Sequence, residues 1–200
     1  MVKDVASVIC AAFEKAKGAE VRADAAGYLH RERSRLWVEA LAEEFRCAYA
    51  DDPSVRVFSK HHEGNRRDFL LNELLHDVSV CRVATVPAAA HKKELLYVTE
   101  ALWQIESEFA RDSRQAIVDF SKLVIGSADG KLFIGPQVTD NESFIEVFAP
   151  AAATTPGDVF LALLPHPASW DSSDAGPLLW RFSNGAWCSL DGRQPTMCSS

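Results

Sequence analysis

The chain has 200 residues, 48% hydrophobic and 24% charged, an ordinary globular composition long enough to bury a sizeable core in one domain. Its formal net charge of −7 argues against a protein that simply coats nucleic acid, because phosphate neutralisation by Lys and Arg supplies most non-specific affinity. A local basic patch, or a carboxylate site that loads metal ions first, stays open.

Cys10, Cys47, Cys81, Cys188 and Cys198 are odd in number, scattered and without a CxxC. That argues against a secreted disulfide scaffold and against a zinc ribbon, and the reading is reduced, mostly buried thiols. The first stretch, MVKDVASVICAAFEK, is broken by Asp4 and Glu14, which argues against a signal peptide. No window approaches the ~20 apolar residues of a transmembrane helix, so a cytoplasmic protein with no membrane partner is expected.

In chain order, Val5, Val8, Ile9, Ala12, Phe13 and Ala16 fall at helical spacing over residues 3–17, with Gly18 as a stop. Residues 27–50 carry a stronger stripe of Leu29, Leu36, Trp37, Leu41, Phe45 and Ala48, ended by Asp51, Asp52 and Pro53. The period then changes. Residues 55–58 read as a short strand, and the polar run 61–67, with Gly64 and Asn65, reads as a hairpin turn. Within 69–83 the early part is compatible with a helix and residues 78–83 alternate like a strand; a loop with Pro87 and three alanines follows.

Residues 95–109 form the next strand region, long enough that its first part is expected to be helical or bent. Residues 113–127 are an amphipathic helix with Ile117, Phe120, Leu123 and Val124 on one face and Ser113 as a candidate cap. Asp129-Gly130 turns into a strand over 131–135. Residues 141–151 read as helix, 158–164 as a buried strand and 177–182 as a further strand turned by Asn184-Gly185, before a loose polar tail. There is no internal repeat. The mixture predicts an α/β fold: a central mixed sheet flanked by helices.

The informative residues are acids inside apolar runs: Asp77 in LLHDVSV, and Glu106 and Glu108 in LWQIESEFA. A carboxylate within a strand is costly to bury unless paired or liganded. Glu106 and Glu108 are two apart, so on a strand both project from one face; a neighbouring strand bearing Asp77 would bring three carboxylates together. Oxygen-only ligands suit Mg²⁺ or Mn²⁺. On the following helix, Gln115, Asp119 and Lys122 are spaced four and then three apart, on one polar face able to lean over those carboxylates.

The order Asp77, Glu106-x-Glu108, Asp119-Phe-Ser-Lys122-Leu resembles the PD-(D/E)xK nuclease superfamily, in particular members with ESE followed by a DFxKL helix. The resemblance spans about residues 28–135, on short and degenerate motifs. It implies a restriction-endonuclease-like αβββαβ core over 28–135 of a single domain, with an N-terminal helix (1–27), a C-terminal helix and strands (136–187) and a loose tail (188–200). It also implies Asp77 and Glu106 as metal ligands. The chain departs from the common pattern at Glu108, where the family usually has Lys; Lys122 would be a migrated replacement. Catalytic residues Asp77, Glu106, Glu108 and Lys122, with Mg²⁺ or Mn²⁺ on Asp77, Glu106 and Glu108, would then hydrolyse phosphodiester bonds in DNA or RNA. Glu73 would support the metal if the strand bearing Asp77 extends that far.

Each residue also has a plainer reading. Strand-end carboxylates often only solvate a sheet end or pair with an arginine such as Arg82 or Arg111, and Lys122 would then be a surface ion pair with Asp119 or Glu108. His61-His62-Glu63 lacks HExxH and partnering cysteines. Arg31, Arg33 and Arg35, Arg66-Arg67 and Lys92-Lys93 are basic runs of the kind that mostly face solvent. No GxxxxGK[ST], GxGxxG or GxSxG occurs, so nucleotide-dependent and serine-hydrolase chemistry has no local support. The alternative function is a catalytically inactive interaction protein, an immunity or accessory partner whose acidic face meets a basic protein; Glu108 in the lysine position and the −7 charge motivate it.

Overall fold

The computed structural model describes residues 4–21, 26–88, 93–110, 112–172 and 174–190. Two helices open the chain, α1 (Val5–Lys17) and α2 (Ala26–Ala48). Asp4 caps α1 by accepting from Ser7 N at 3.2 Å. The remaining elements are β1 (Val55–Ser59), α3 (Arg66–Phe69), β2 (Val78–Ala88), β3 (Lys93–Ser107), α4 (Ser113–Val124), β4 (Gly130–Pro136), α5 (Asn141–Glu146), α6 (Ala149–Thr154), β5 (Asp158–Leu164), β6 (Leu178–Ser183) and β7 (Ala186–Ser189).

All seven strands join one mixed sheet whose spatial order is the chain order, β1 to β7. β1, β2 and β3 run antiparallel; β3, β4 and β5 are parallel; β5, β6 and β7 return to antiparallel. Strand alternation sorts the side chains into two cores. Trp103, Ile105, Leu132, Ile134, Phe160 and Ala162 pack with Ile9, Phe13, Trp37, Leu41 and Phe45 under α1 and α2. Phe133, Val159, Leu161 and Leu163 pack on the opposite face with Phe120 and Leu123 of α4 and with Phe144 and Phe148. The fold is therefore α/β, with helices on both faces of the sheet.

Several expectations are corrected. The predicted hairpin turn at 61–67 is instead a 3₁₀ turn (Glu63–Asn65) running into α3, and the irregular stretch 70–77 separates it from β2. β2 continues through Pro87 to Ala88 where a loop was expected. Among the described residues, no β1 partner lies along its outer edge beyond Val83, so the missing proline N–H costs no ladder bond there. β3 is one strand of 15 residues, neither helical nor broken in its first part, because it pairs with β2 from Lys93 to Ile105.

The predicted helix at 141–151 divides into α5 and α6, with Pro150 in the first turn of α6. Residues 188 and 189, expected to open a loose tail, belong to a strand. Asn184 (φ 53°) and Gly185 (φ 82°) make the left-handed pair of a tight hairpin, and Ala186–Ser189 form β7 against β6. Residues 191–200 lie outside the described residues. Cys10, Cys47 and Cys188 are exposed and only Cys81 of these four is buried, which corrects the expectation of mostly buried thiols; Cys198 lies outside the described residues. No described helix is long and apolar enough to cross a membrane.

Gly130 opens β4 directly opposite Trp103, and a Cβ there would stand 2.6 Å from the indole ring. Trp103 is fully enclosed and cannot retreat. Gly130→Ala is expected to destabilise the fold by about 1–3 kcal/mol, read from the denaturation midpoint.

Candidate active site

The pairing of β2 with β3 brings the first two acids together. Val78 lies opposite Ile105 and Ser79 opposite Gln104, so the register continued by one residue sets Asp77 across from Glu106. Because Trp103 and Ile105 face α1 and α2, alternation turns Gln104 and Glu106 toward α4. Ala116, Phe120 and Leu123 seat α4 on that face of the sheet, and Asp112 caps its first turn, accepting from Arg114 N at 2.9 Å. Asp119 and Lys122, one turn apart, are thereby held over the end of β3.

Lys122 Nζ lies 3.0 Å from Glu106 Oε2 and 2.8 Å from Asp119 Oδ1, bridging strand and helix. Gln115 Nε2 donates to Asp119 Oδ2 at 3.1 Å. Asp77 Oδ2 accepts from Ser107 N at 2.9 Å, the residue between the two glutamates. Glu108 lies one residue past β3, although its N–H still donates to Ile134 O. Its carboxylate accepts from Ala110 N at 2.6 Å and faces Asp119. His76 is buried, and its Nε2 donates to the Lys122 carbonyl at 3.4 Å, tying the segment before Asp77 to the end of α4.

Glu106 is 2% exposed, and its Oε1 is buried with no hydrogen-bond partner. Burial pushes its carboxyl up to about 7, against the Lys122 hydrogen bond and assisted by the charges of Asp77 and Asp119. Burial also raises Asp77, opposed by Ser107 N–H and Lys122. Glu108 is raised too, by burial first and by the neighbouring Asp119 and Asp77. Asp119 goes the other way: burial works against its charge, but the Lys122 and Gln115 donors outweigh it and hold it low. For Lys122 the loss of water is outweighed by Asp119 and Glu106, so its ammonium is held firmly protonated.

These shifts set a pH dependence. A carboxyl raised from 4.5 to about 7 binds more protons folded than unfolded between those values, so stability falls as pH rises through that window. Glu106→Gln is expected to flatten that slope, by at most about 3 kcal/mol across the window. Melting temperatures of the two proteins at pH 5 and pH 8 measure it.

Next to this cluster, Gln104 Oε1 accepts from Ala128 N at 3.1 Å. Lys131, opposite Gln104 on β4, is fully buried. Its ammonium donates to the carbonyls of Ala128 at 2.7 Å and Pro156 at 2.6 Å.

Four of the residues singled out from the sequence, Asp77, Glu106, Glu108 and Lys122, thus belong to one linked cluster, with the expected Lys122–Asp119 pair among its contacts. Lys122 pairs with Glu106 and Asp119, and Glu108 is turned onto its own loop. Asp119 is the central acid that the candidate set left out; its i, i+3 spacing from Lys122 was the available signal. Glu73 lies in the irregular segment 70–77, not on a strand with Asp77. Arg82 pairs with Asp52 and Glu100 instead of the site acids, and Arg111 lies outside the described residues.

The basic run on α2 is largely committed elsewhere: Arg33 is buried and donates to Pro167 O at 2.8 Å, and Arg35 pairs with Glu32 and Glu39. Arg66 and Arg67 pair with Glu63 and Asp68. Lys92 lies outside the described residues.

Among the described residues, no three His, Cys, Asp or Glu side chains are arranged to hold a metal as they stand. The donor chemistry nevertheless fits a hard divalent ion. Asp77 and Glu106 are carboxylates, and the orphaned Glu106 Oε1 is a buried acceptor that a cation would satisfy. Mg²⁺ commonly takes only one or two protein carboxylates and fills its shell with water and substrate oxygens. Comparison with known proteins finds no family model, no curated protein and no solved structure that matches the chain.

Proposed function

We propose that the protein is a metal-dependent nuclease of the PD-(D/E)xK type, hydrolysing phosphodiester bonds of DNA or RNA on an αβββαβ core formed by α2, β1, β2, β3, α4 and β4. The observation that carries this reading is the buried, unpartnered Oε1 of Glu106 beside Asp77, with an ammonium fixed next to it. A buried acceptor without a donor is expensive in a structure, and ionised Glu106 has only one of its two oxygens compensated.

On this reading Asp77 and Glu106 hold Mg²⁺ or Mn²⁺, and Glu108 joins them only by releasing Ala110 N. A bound ion supplies charge stabilisation and lowers the pKa of a coordinated water. The chain's own groups do the rest. Ser107 N–H orients Asp77. Asp119 holds Lys122 against Glu106, so that its ammonium can hydrogen-bond a non-bridging phosphate oxygen or the attacking water. Calorimetric titration of Mn²⁺ into the protein, beside Asp77→Ala and Glu106→Ala, tests the ligand assignment: binding lost in both variants supports it, and binding indifferent to both sinks it.

A second reading keeps the same fold as an inactive interaction protein. It is favoured by the Lys122 bridge, which already compensates Glu106 and Asp119 internally, and by Glu108 in the usual lysine position. Tight binding of a basic protein partner that survives Asp77→Ala, without Mn²⁺ binding by the unaltered chain, would select it.

A further inference from the structure

A second polar cluster lies across the sheet from Glu106. α1, α2 and the turn after β1 enclose a cleft of about 440 Å³, within the size range of small-molecule sites. Ala16, Ala40 and Leu36 give it an apolar wall, and Lys15, Arg46, His61 and His62 contribute the cationic or protonatable groups. Its carboxylates are Glu39 and Glu43. Glu39 is committed to Arg35 at 2.7 Å. Glu43 Oε2 stands 3.4 Å from Arg46 Nη1, an ion pair without an aligned hydrogen bond.

Arg46 is therefore under-compensated. Its Nε and Nη1 are buried with no acceptor, although a guanidinium carries five N–H donors. Burial disfavours its charge, and Glu43 only partly offsets that. The His62 imidazole is held low by burial and then by the charge of Arg46, so the two cation-forming groups oppose each other. The half-buried ring lies over Gly64, where a Cβ would be 2.3 Å from Nε2. Lys15 is itself exposed and pairs with the half-buried Glu44 at 3.4 Å, a surface pair weak enough for its ammonium to turn inward.

We propose that this cleft binds the oxyanion group of a small molecule, a carboxylate or phosphate monoester with a short apolar body, anchored by Arg46 and His62 with Lys15 closing over it. Turned toward the cleft, the Arg46 guanidinium would find in an anion the acceptors that its buried N–H groups lack, and its conflict with His62 would be relieved. The apolar body would lie on Ala16, Leu36 and Ala40. Glu39 and Glu43 discriminate against polyanions. The proposal does not depend on the nuclease reading, since the cleft belongs to the α1–α2 side of the sheet and shares no residue with Asp77, Glu106 or Lys122.

The test is an NMR titration of the His62 ring signals with phenyl phosphate and, separately, benzoate, at constant ionic strength. A saturable shift with at least one probe is expected, accompanied by a rise in the His62 pKa. Arg46→Met should weaken binding about tenfold or more. If that variant does not fold, Arg46→Lys, which keeps the charge and loses the planar donors, should still weaken it, and Lys15→Met should weaken it less. Saturation by one probe alone assigns the group as phosphate or carboxylate. No saturable shift with either probe, or the same affinity in the Arg46 and Lys15 variants as in the unaltered protein, overturns the proposal.

Discussion

Glu106→Ala is expected to abolish Mg²⁺-dependent cleavage of DNA or RNA and to remove Mn²⁺ binding, while the circular dichroism spectrum stays that of the folded protein. Asp77→Ala should do the same. On this reading the two carboxylates act together on one ion, and loss of either removes half of the protein's negative charge on it and its fixed position beside Lys122. Lys122→Met separates ligand from catalyst. It removes the ammonium but keeps both carboxylates, so Mn²⁺ binding measured at a pH high enough to ionise Glu106 should persist while cleavage falls by roughly a hundredfold or more. Cleavage unchanged in both carboxylate variants would eliminate the nuclease assignment. Asp119→Asn should give an intermediate loss, because Lys122 then keeps Glu106 as its anionic partner and a weaker neutral acceptor at position 119.

Lys131→Met should destabilise the fold by about 1–3 kcal/mol by chemical denaturation. Methionine fills nearly the same space, so the cavity contribution is small. What is lost is the side-chain donor shared by the carbonyls of Ala128 and Pro156, in a place where Lys131 is fully enclosed. The buried Ala128 carbonyl left without this donor costs about 1–3 kcal/mol, less the gain from no longer burying an ammonium, while the part-buried Pro156 carbonyl can turn to water. A loss below about 1 kcal/mol would mean that water takes over those carbonyls.

The elements that pack on the two cores were legible because their apolar spacing is unbroken. Val5 to Ala16, Trp37 to Phe45, and the runs at 131–135 and 158–164 each declare one period. Asp77 and Glu106 stood out as acids in apolar surroundings, and their proximity follows from the register of β2 on β3. Other features depended on partners far away in the sequence. The outer halves of β2 and β3 are strands only because they hydrogen-bond each other, against the local evidence of Pro87 and neighbouring alanines. β7 is four residues long and half exposed, too short for periodicity to register. The Lys122–Asp119 pair was legible from helix spacing, but the second partner of Lys122, Glu106, needs the seat of α4 on the sheet, which helix spacing alone does not supply. Lys131 looked like any strand lysine because the Pro156 carbonyl it serves is 25 positions away.

The arrangement of the strands has a consequence for how the molecule assembles. Spatial order equals chain order throughout the sheet, so each strand finds its partner in the element just made and none is inserted between two earlier ones. Ring-closure distances stay short, which favours rapid folding for a sheet of this size. A chain emerging from a ribosome can lay down β1 to β3 under α2, then add one β-strand at a time at the growing edge. That edge is hydrogen-bonding competent at every stage, and β7, short and partly exposed, is what finally terminates it.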